Sequence, residues 1–332
     1  MDDKEMTMRE ALNLALDQAL AADDRVFLLG EDIADPGASG PTAGLSTKYG
    51  HDRVLDTPIS EAAIVGAAIG AAIDGMLPVA EIMIMDFIGI AADQLINNAA
   101  KLRFMTAGRT TAPITIRTQV YAGLATGATH SQSLEAWFMH IPGMKVIVPS
   151  TPRDGKGLLA SAIFDEDPCL FVETIRLQGK KGPVPVDPGF RIPLGEADIK
   201  RPGTDVTLIS YGRAVHDAMT AAETLAGHGV SAEVVDLRTL VPLDVDTIVD
   251  SVRRTCRAVI VHDAVQFGGP GAEIAATLQS ELFGELVAPI ERVAARFIPN
   301  PAAAALEATV YPSPERIVAA AQRTLDKAGS RG

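Results

Sequence analysis

Basic residues are in short supply. Lys and Arg number 29 against 42 Asp and Glu, a formal net charge of −13. Binding a phosphate backbone needs a basic face, so nucleic acid is excluded as the main partner. A basic protein partner, or simple solubility, fits the charge. Cysteine is nearly absent, with only Cys169 and Cys256. Both sit in apolar, strand-like runs ("PCLFVE", "CRAVIVH") and are expected as buried reduced thiols rather than a disulfide or a nucleophile. No apolar run reaches the roughly 20 residues a bilayer span needs. The acidic start "MDDKEMTMREAL" lacks the apolar core of a signal peptide. A cytoplasmic protein with no membrane partner is expected.

Several catalytic signatures are also missing. There is no G-x-x-x-x-G-K-[ST] phosphate loop, no G-x-S-x-G nucleophile elbow and no H-E-x-x-H or zinc-spaced cysteine pair. There is no G-D-G followed by a distant Asn, the usual magnesium–diphosphate motif of thiamine enzymes.

What is present is a soluble globular composition, 47% apolar and 21% charged, over 332 residues. That is enough for a large core and two domains. "MREALNLALDQALAAD" has apolar residues at helical spacing. "RVFLLGED", "RVLDTP", "PVAEIMI", "APITIRT", "MKVIVPS" and "PCLFVET" read as strands. Helices fall between several of them, including a long one over "FIGIAADQLINNAAKLRFM". "ADPGASGPTAGLSTKYG" and "QVYAGLATGATHSQ" read as loops. Strands alternating with helices imply an α/β fold with a parallel sheet covered on both faces. Pro and Gly break the rhythm near residues 180–203. A second, smaller α/β unit then starts at "DVTLISYG". The division expected is 1–185, a linker over 186–203, and 204–332.

Three features can carry chemistry. The first is Glu61, at the head of the uncharged run Ala62–Ile73. Pro58 and Ser60 before it suit a helix start, and an acid in a first turn is favoured by the helix dipole. Packed among Ala, Ile and Val, the same acid loses hydration, which favours its protonated form. A carboxyl kept protonated in that way can donate a hydrogen bond to a ring nitrogen. Gly66, Gly70 and Gly75 in this run have one-face helical spacing, which lets another backbone approach. The second feature is His130, which ends a Gly-rich loop; it is either structural or catalytic, since loops on a rigid α/β scaffold are where catalytic groups gather. His140 is expected in packing, and His51, His216, His228 and His262 at surface or strand ends. The third is "SAIFDEDP", Ser161–Pro168, where a helix end leaves carbonyls without intrahelical partners. It reads as a solvated acidic turn, or as carbonyl oxygens holding a monovalent cation.

The stretches "DTPISE", "EIMIMDF", "ADQLINNAAK", "GATHSQSLEAWFMHIPGMKVIVPSTPRDGKGLLASAI", "VTLISYG" and "VVDLRTLVPLD" resemble the β subunit of thiamine-diphosphate-dependent 2-oxoacid dehydrogenases, a group that includes pyruvate, branched-chain 2-oxoacid and acetoin dehydrogenases. The similarity runs from about Thr7 to Ala328. It implies a transketolase-type pyrimidine-binding domain followed by a transketolase C-terminal domain. It also implies pairing with an α subunit in an α2β2 heterotetramer. The α subunit would hold magnesium and the diphosphate, which accounts for the missing G-D-G motif. Glu61 matches the glutamate that hydrogen-bonds the pyrimidine N1′, where a shared proton helps activate the thiazolium carbon. Met83 and Phe87 match the wall against the pyrimidine. Ile90 stands where some members carry glutamine, so no polar cofactor contact is expected there. His130 matches the histidine that transfers a proton when the acyl group passes to a lipoyl disulfide. The carbonyls of Ile114, Ala162, Ile163, Asp165 and Asp167 match a potassium site. Partners implied are the α subunit, a lipoyl acyltransferase core whose basic subunit-binding domain docks on the C-terminal domain, and a small 2-oxoacid or acetoin as substrate. A split transketolase-like subunit, passing a ketol unit without a lipoyl partner, is the alternative. A docking or scaffold subunit without chemistry is disfavoured, because Glu61 and His130 are both present.

Overall fold

A computed structural model describes residues 3–34 and 40–326. These form two compact units. Of the described residues, one comprises 3–34, 40–121 and 137–194, and the other 122–136 and 195–326.

The first unit begins with strand β1 (Asp3–Thr7) and helix α1 (Met8–Ala22). Thr7 starts this helix with a capping box. Its hydroxyl accepts from the Glu10 N–H, and the Glu10 carboxylate accepts from the Thr7 N–H at 2.7 Å. The strands that follow are β2 (Val26–Gly30), β3 (Val54–Asp56), β4 (Leu77–Ile82), β5 (Thr115–Val120), β6 (Lys145–Ile147) and β7 (Cys169–Thr174). They pair in parallel in the order β6-β7-β5-β4-β2-β3. Strand β8 (Lys181–Pro185) pairs antiparallel with β1. Helix α2 (Leu45–Tyr49) lies within the segment expected as a loop, of which residues 35–39 fall outside the described residues. α1 and helix α6 (Pro152–Ile163) bury Leu12, Leu16, Leu158 and Leu159 against Val26, Leu28 and Phe171 of the sheet. At Gly30 β2 and β4 lie so close that a Cβ would meet the Glu81 Cβ at 2.9 Å, so only glycine fits.

Helix α3 (Glu61–Ile73) forms as expected, and its buried face is Glu61, Ile64, Val65, Ala68, Ile69 and Ala72. The expected glycine face does not form. Gly70 meets nothing within 4 Å, and Gly75 lies beyond the helix with φ +95°, where it ends the helix. The long helix expected over Phe87–Met105 is broken. Met85–Ala91 is 3₁₀, Gln94–Ala99 is π, and the α-helical parts are residues 92–93 and Ala100–Met105 (α4). Within the π segment the Asn98 side chain donates to the Asp93 backbone carbonyl at 3.4 Å, and a side-chain donor on a ladder carbonyl competes with the regular helix. Helix α5 (Glu135–Met139) is short, and His140 after it is exposed rather than packed.

The second unit contains strands β9 (Asp198–Arg201), β10 (Val206–Ser210), β11 (Ala232–Asp236), β12 (Thr239–Val241), β13 (Ala258–Val265) and β14 (Glu291–Ala295). A five-stranded sheet runs β14-β13-β10-β11-β9, parallel except for β9. β9 falls inside the span 186–203. Helices α7 (Ala214–Gly227) and α11 (Pro314–Asp326) bury Val215, Leu225 and Ile317 against Val206, Leu208 and Val234. Helices α8 (Val245–Thr255), α9 (Pro270–Glu281) and α10 (Ala304–Glu307) complete the unit. Cys169 is a buried free thiol, as expected. Cys256 is a half-buried one, and it caps α8 in the left-handed region rather than entering a strand. His262 is fully buried in β13, not at a surface or strand end. Burial pushes its imidazole down to about 4, so the ring is neutral. Its Nε2 accepts the Gly271 N–H at 3.1 Å.

Candidate active site

Parallel strands put the residues that follow them at one edge of the sheet, where α/β proteins bind their ligands. Glu31 follows β2, Glu61 opens the helix after β3, and Met83 and Phe87 follow β4. β3, β2 and β4 are adjacent, with Gly30 opposite both Asp56 and Glu81. Met83 and Phe87, 22 and 26 residues after Glu61, therefore lie at the same strand edge, and both are half-buried. Glu61 is only 6% exposed. Its carboxylate makes no hydrogen bond among the described residues, and Ser60 does not cap the helix with its side chain. A buried carboxylate without an internal partner is costly and suits an incoming donor.

Glu31, which the sequence reading did not single out, stands near enough to Glu61 to feel its charge. Burial, and next the charge of Glu61, push its carboxyl up from the usual range. The signal was available: "LLGED" puts an acid directly after a buried strand. Beneath this edge lies a buried ion triad. Arg117 on β5 donates through Nη1 to Glu81 on β4 at 2.6 Å and through Nε to Glu173 on β7 at 2.7 Å. Its Nη2 lies 2.6 Å from the same Glu173 oxygen as an ion contact. Gln178 donates to the other Glu173 oxygen.

The carbonyl residues lie at the opposite, amino-terminal edge of the same sheet. Ile114 precedes β5, Ala162 and Ile163 end α6, and Asp165 and Asp167 precede β7. Cys169 N–H donates to the Ile114 carbonyl at 2.9 Å, and Asp165 N–H to the Ala162 carbonyl at 3.2 Å. The carboxylates are engaged elsewhere: Lys145 donates to Asp165 and Arg103 to Asp167, at 2.6 Å each. What remains for a cation is neutral carbonyl oxygen, each acceptor having two lone pairs. Such a donor set fits potassium. Among the described residues no group of three or more His, Cys, Asp and Glu could hold a metal. No helix among them is long and apolar enough to cross a membrane.

His130 belongs to the second unit and is half-buried. The Thr129 hydroxyl lies 3.0 Å from its Nδ1, and the Thr126 hydroxyl donates to its backbone carbonyl at 2.9 Å. Five residues on, Glu135 is buried and accepts from the Tyr211 hydroxyl at 2.8 Å. Burial pushes the Glu135 carboxyl up to about 7. Tyr211 in turn stacks on His262 at 6.0 Å, and Arg213 beside it pairs with Asp263 and Asp217.

Comparison with known proteins gives the family. Residues 4–179 match the transketolase pyrimidine-binding domain, and residues 195–317 the transketolase C-terminal domain. The chain is 46% identical to the acetoin:2,6-dichlorophenolindophenol oxidoreductase subunit beta of Cupriavidus necator, over 97% of this chain and 98% of that one. It is 45% identical to the mitochondrial pyruvate dehydrogenase E1 component subunit beta-2 of Oryza sativa, over 98% and 88%. Among solved structures it resembles an inactive beta4 tetramer of a split-gene transketolase, with a TM-score of 0.77 at 24% identity over 97% of this chain and 98% of that one, a likeness of fold. The chain therefore belongs to the family of β subunits of pyruvate and acetoin dehydrogenase E1 components, oxidoreductases built on transketolase pyrimidine-binding and C-terminal domains.

Proposed function

We propose that this chain is the β half of a thiamine-diphosphate enzyme that cleaves acetoin or a pyruvate-type 2-oxoacid and passes the acyl unit to lipoyllysine of an acyltransferase core. It works only with an α subunit, in an α2β2 assembly in which α holds magnesium and the diphosphate. The observation that carries this reading is the Glu61 carboxylate, buried at the strand edge without an internal hydrogen bond. The cofactor supplies a nucleophilic carbon when bound. Glu61 holds the proton at the pyrimidine N1′, which needs an acid there and not an amide. Met83 and Phe87 form an apolar wall that orients the ring and excludes water. His130 donates the proton that the lipoyl sulfur takes up on acyl transfer. Acetoin and pyruvate both deliver a two-carbon acyl unit, acetoin with loss of an aldehyde and pyruvate with loss of carbon dioxide, so one site accommodates either.

Co-purification with an α chain tests this. The complex should reduce 2,6-dichlorophenolindophenol with acetoin or pyruvate and acylate a lipoyl domain, while the β chain alone does neither. A complex that turns over neither substrate, or acts on a ketose with no lipoyl acceptor, would overturn it.

A potassium ion on the carbonyls of Ile114, Ala162, Ile163, Asp165 and Asp167 is part of the proposal. Bound only by the folded chain, it should add about 2–3 kcal/mol when present at about a hundred times its dissociation constant. Thermal melting in potassium chloride should then exceed melting in choline chloride by several degrees. Equal midpoints would remove the ion from the scheme.

A further inference from the structure

The loop that carries His130 holds a conformation it would not choose alone. Gly123, Ala125 and Gly127 all lie in the left-handed region, at φ +84°, +58° and +83°. Glycine enters it freely, but an alanine does so at a cost. Alternating residues of this kind turn backbone N–H groups toward one point and form a small anion-binding nest. In this protein the nest is filled from within. Glu307, on the one-turn helix α10 and 2% exposed, accepts the Gly123 N–H at 3.0 Å through one oxygen and the Ala125 N–H at 2.6 Å through the other.

The far end of the loop is held by the same stretch of chain. Asn300 Nδ2 donates to the Ser131 carbonyl at 2.8 Å, and the Tyr311 hydroxyl donates to the same oxygen at 3.1 Å. Between these, Gly127 passes the Ala302 side chain closely enough that a Cβ would meet it at 3.6 Å. Within the loop Thr126 bridges the His130 carbonyl and the Ser131 hydroxyl, at 2.9 and 2.6 Å. His130 is thus suspended between two anchors, Glu307 before it and Asn300 with Tyr311 after it, all from residues 300–311. A bidentate carboxylate on backbone N–H groups is a strong, directional anchor. Glu307, Asn300 and Tyr311 belong, like the loop, to the second unit.

We propose that Glu307 is a positioning residue for His130: its carboxylate fills the loop's anion nest and, with Asn300 and Tyr311, sets where the imidazole stands. This rests on the reading of His130 as the proton donor in acyl transfer. Glu307 has no part in the chemistry itself and acts only through the loop.

The test uses the assembled α/β complex with Glu307→Ala, Tyr311→Phe and His130→Ala. Tyr311→Phe removes one hydroxyl and keeps the packing, so it answers the question even if Glu307→Ala folds poorly. Amide exchange of residues 123–131 should speed up in both anchor variants. The kcat for acyl transfer to a lipoyl domain should fall about tenfold or more in Glu307→Ala, since small misplacements cost that much. The same kcat with an artificial electron acceptor should fall less, and the KM for the small substrate should hold. Added acetate should refill the nest, restoring both slow exchange and lipoyl transfer in Glu307→Ala. A global loss of structure would be restored by neither. Unchanged exchange in both anchor variants overturns the proposal, and so does faster exchange with lipoyl transfer intact while His130→Ala loses it. If His130→Ala itself keeps full lipoyl transfer, the reading of His130 fails and the positioning role falls with it, a result distinguishable from the other two.

Discussion

Replacing Glu61 with glutamine should slow exchange of the cofactor's C2 proton in the assembled complex by about two to four orders of magnitude, the usual contribution of a placed acid or base. Glutamine keeps the shape of the side chain, so packing at the head of α3 is preserved. What is lost is the exchangeable proton. The carboxylate is free to serve because no group among the described residues already uses it, and it is held at the strand edge by a helix whose inner face is fully packed. The variant should also bring the Glu31 carboxyl back toward its ordinary range, since the charge of Glu61 is one cause of its rise. Quenched-flow exchange followed by proton NMR measures the first effect. A rate equal to that of the unaltered complex would remove Glu61 from the mechanism. Loss of cofactor binding alone would show as a restored rate at high cofactor concentration.

The second large effect is on stability. Arg117→Met should cost about 3–5 kcal/mol at pH 7.5, because removing one partner leaves buried charge without compensation. Arg117 and Glu173 are 1% and 2% exposed. Burial pushes the Glu173 carboxyl up, Glu81 adds to that, and Arg117 is its main counterweight. Without Arg117 the raising influences remain, opposed only by the Gln178 hydrogen bond. The folded variant then binds a proton more tightly than the unfolded chain does. Its unfolding free energy therefore rises as pH falls toward the ordinary carboxylate range, and the deficit shrinks between pH 7.5 and 5. Urea unfolding at both values checks the sign. A deficit of the same size at each pH would mean that packing, and not charge, is what Arg117 supplies.

The part of the site that could be read from the sequence is the part built by neighbours along the chain. Glu61 was legible because Pro58, Ser60 and an uncharged run announce a helix start with an acid at its head, and α3 begins at Glu61. The capped helix α1 and the alternating strands were legible for the same reason: periodicity and caps act within a few residues. The helix over Phe87–Met105 was misread because apolar spacing does not reveal a 3₁₀ start at Met85–Ala91 or the Asn98 side chain donating to the Asp93 carbonyl within a π turn. Gly70 was misread because spacing does not show which helix positions meet a neighbour, and Gly75 because spacing does not show where a helix stops.

By itself the sequence determined an acidic α/β chain of two units, and it placed one acid at the head of a helix and one histidine at the end of a loop. Those choices depend on local backbone preference and on apolar periodicity, both written in adjacent residues. Only the tertiary structure decided that Glu31 would stand by Glu61, that Arg117 would join Glu81 and Glu173, and that Glu307 would hold Gly123 and Ala125 from 184 and 182 residues away. The physical reason is that a buried charge takes its partner from whatever strand or loop the sheet order brings beside it, and sheet order is a property of the whole chain.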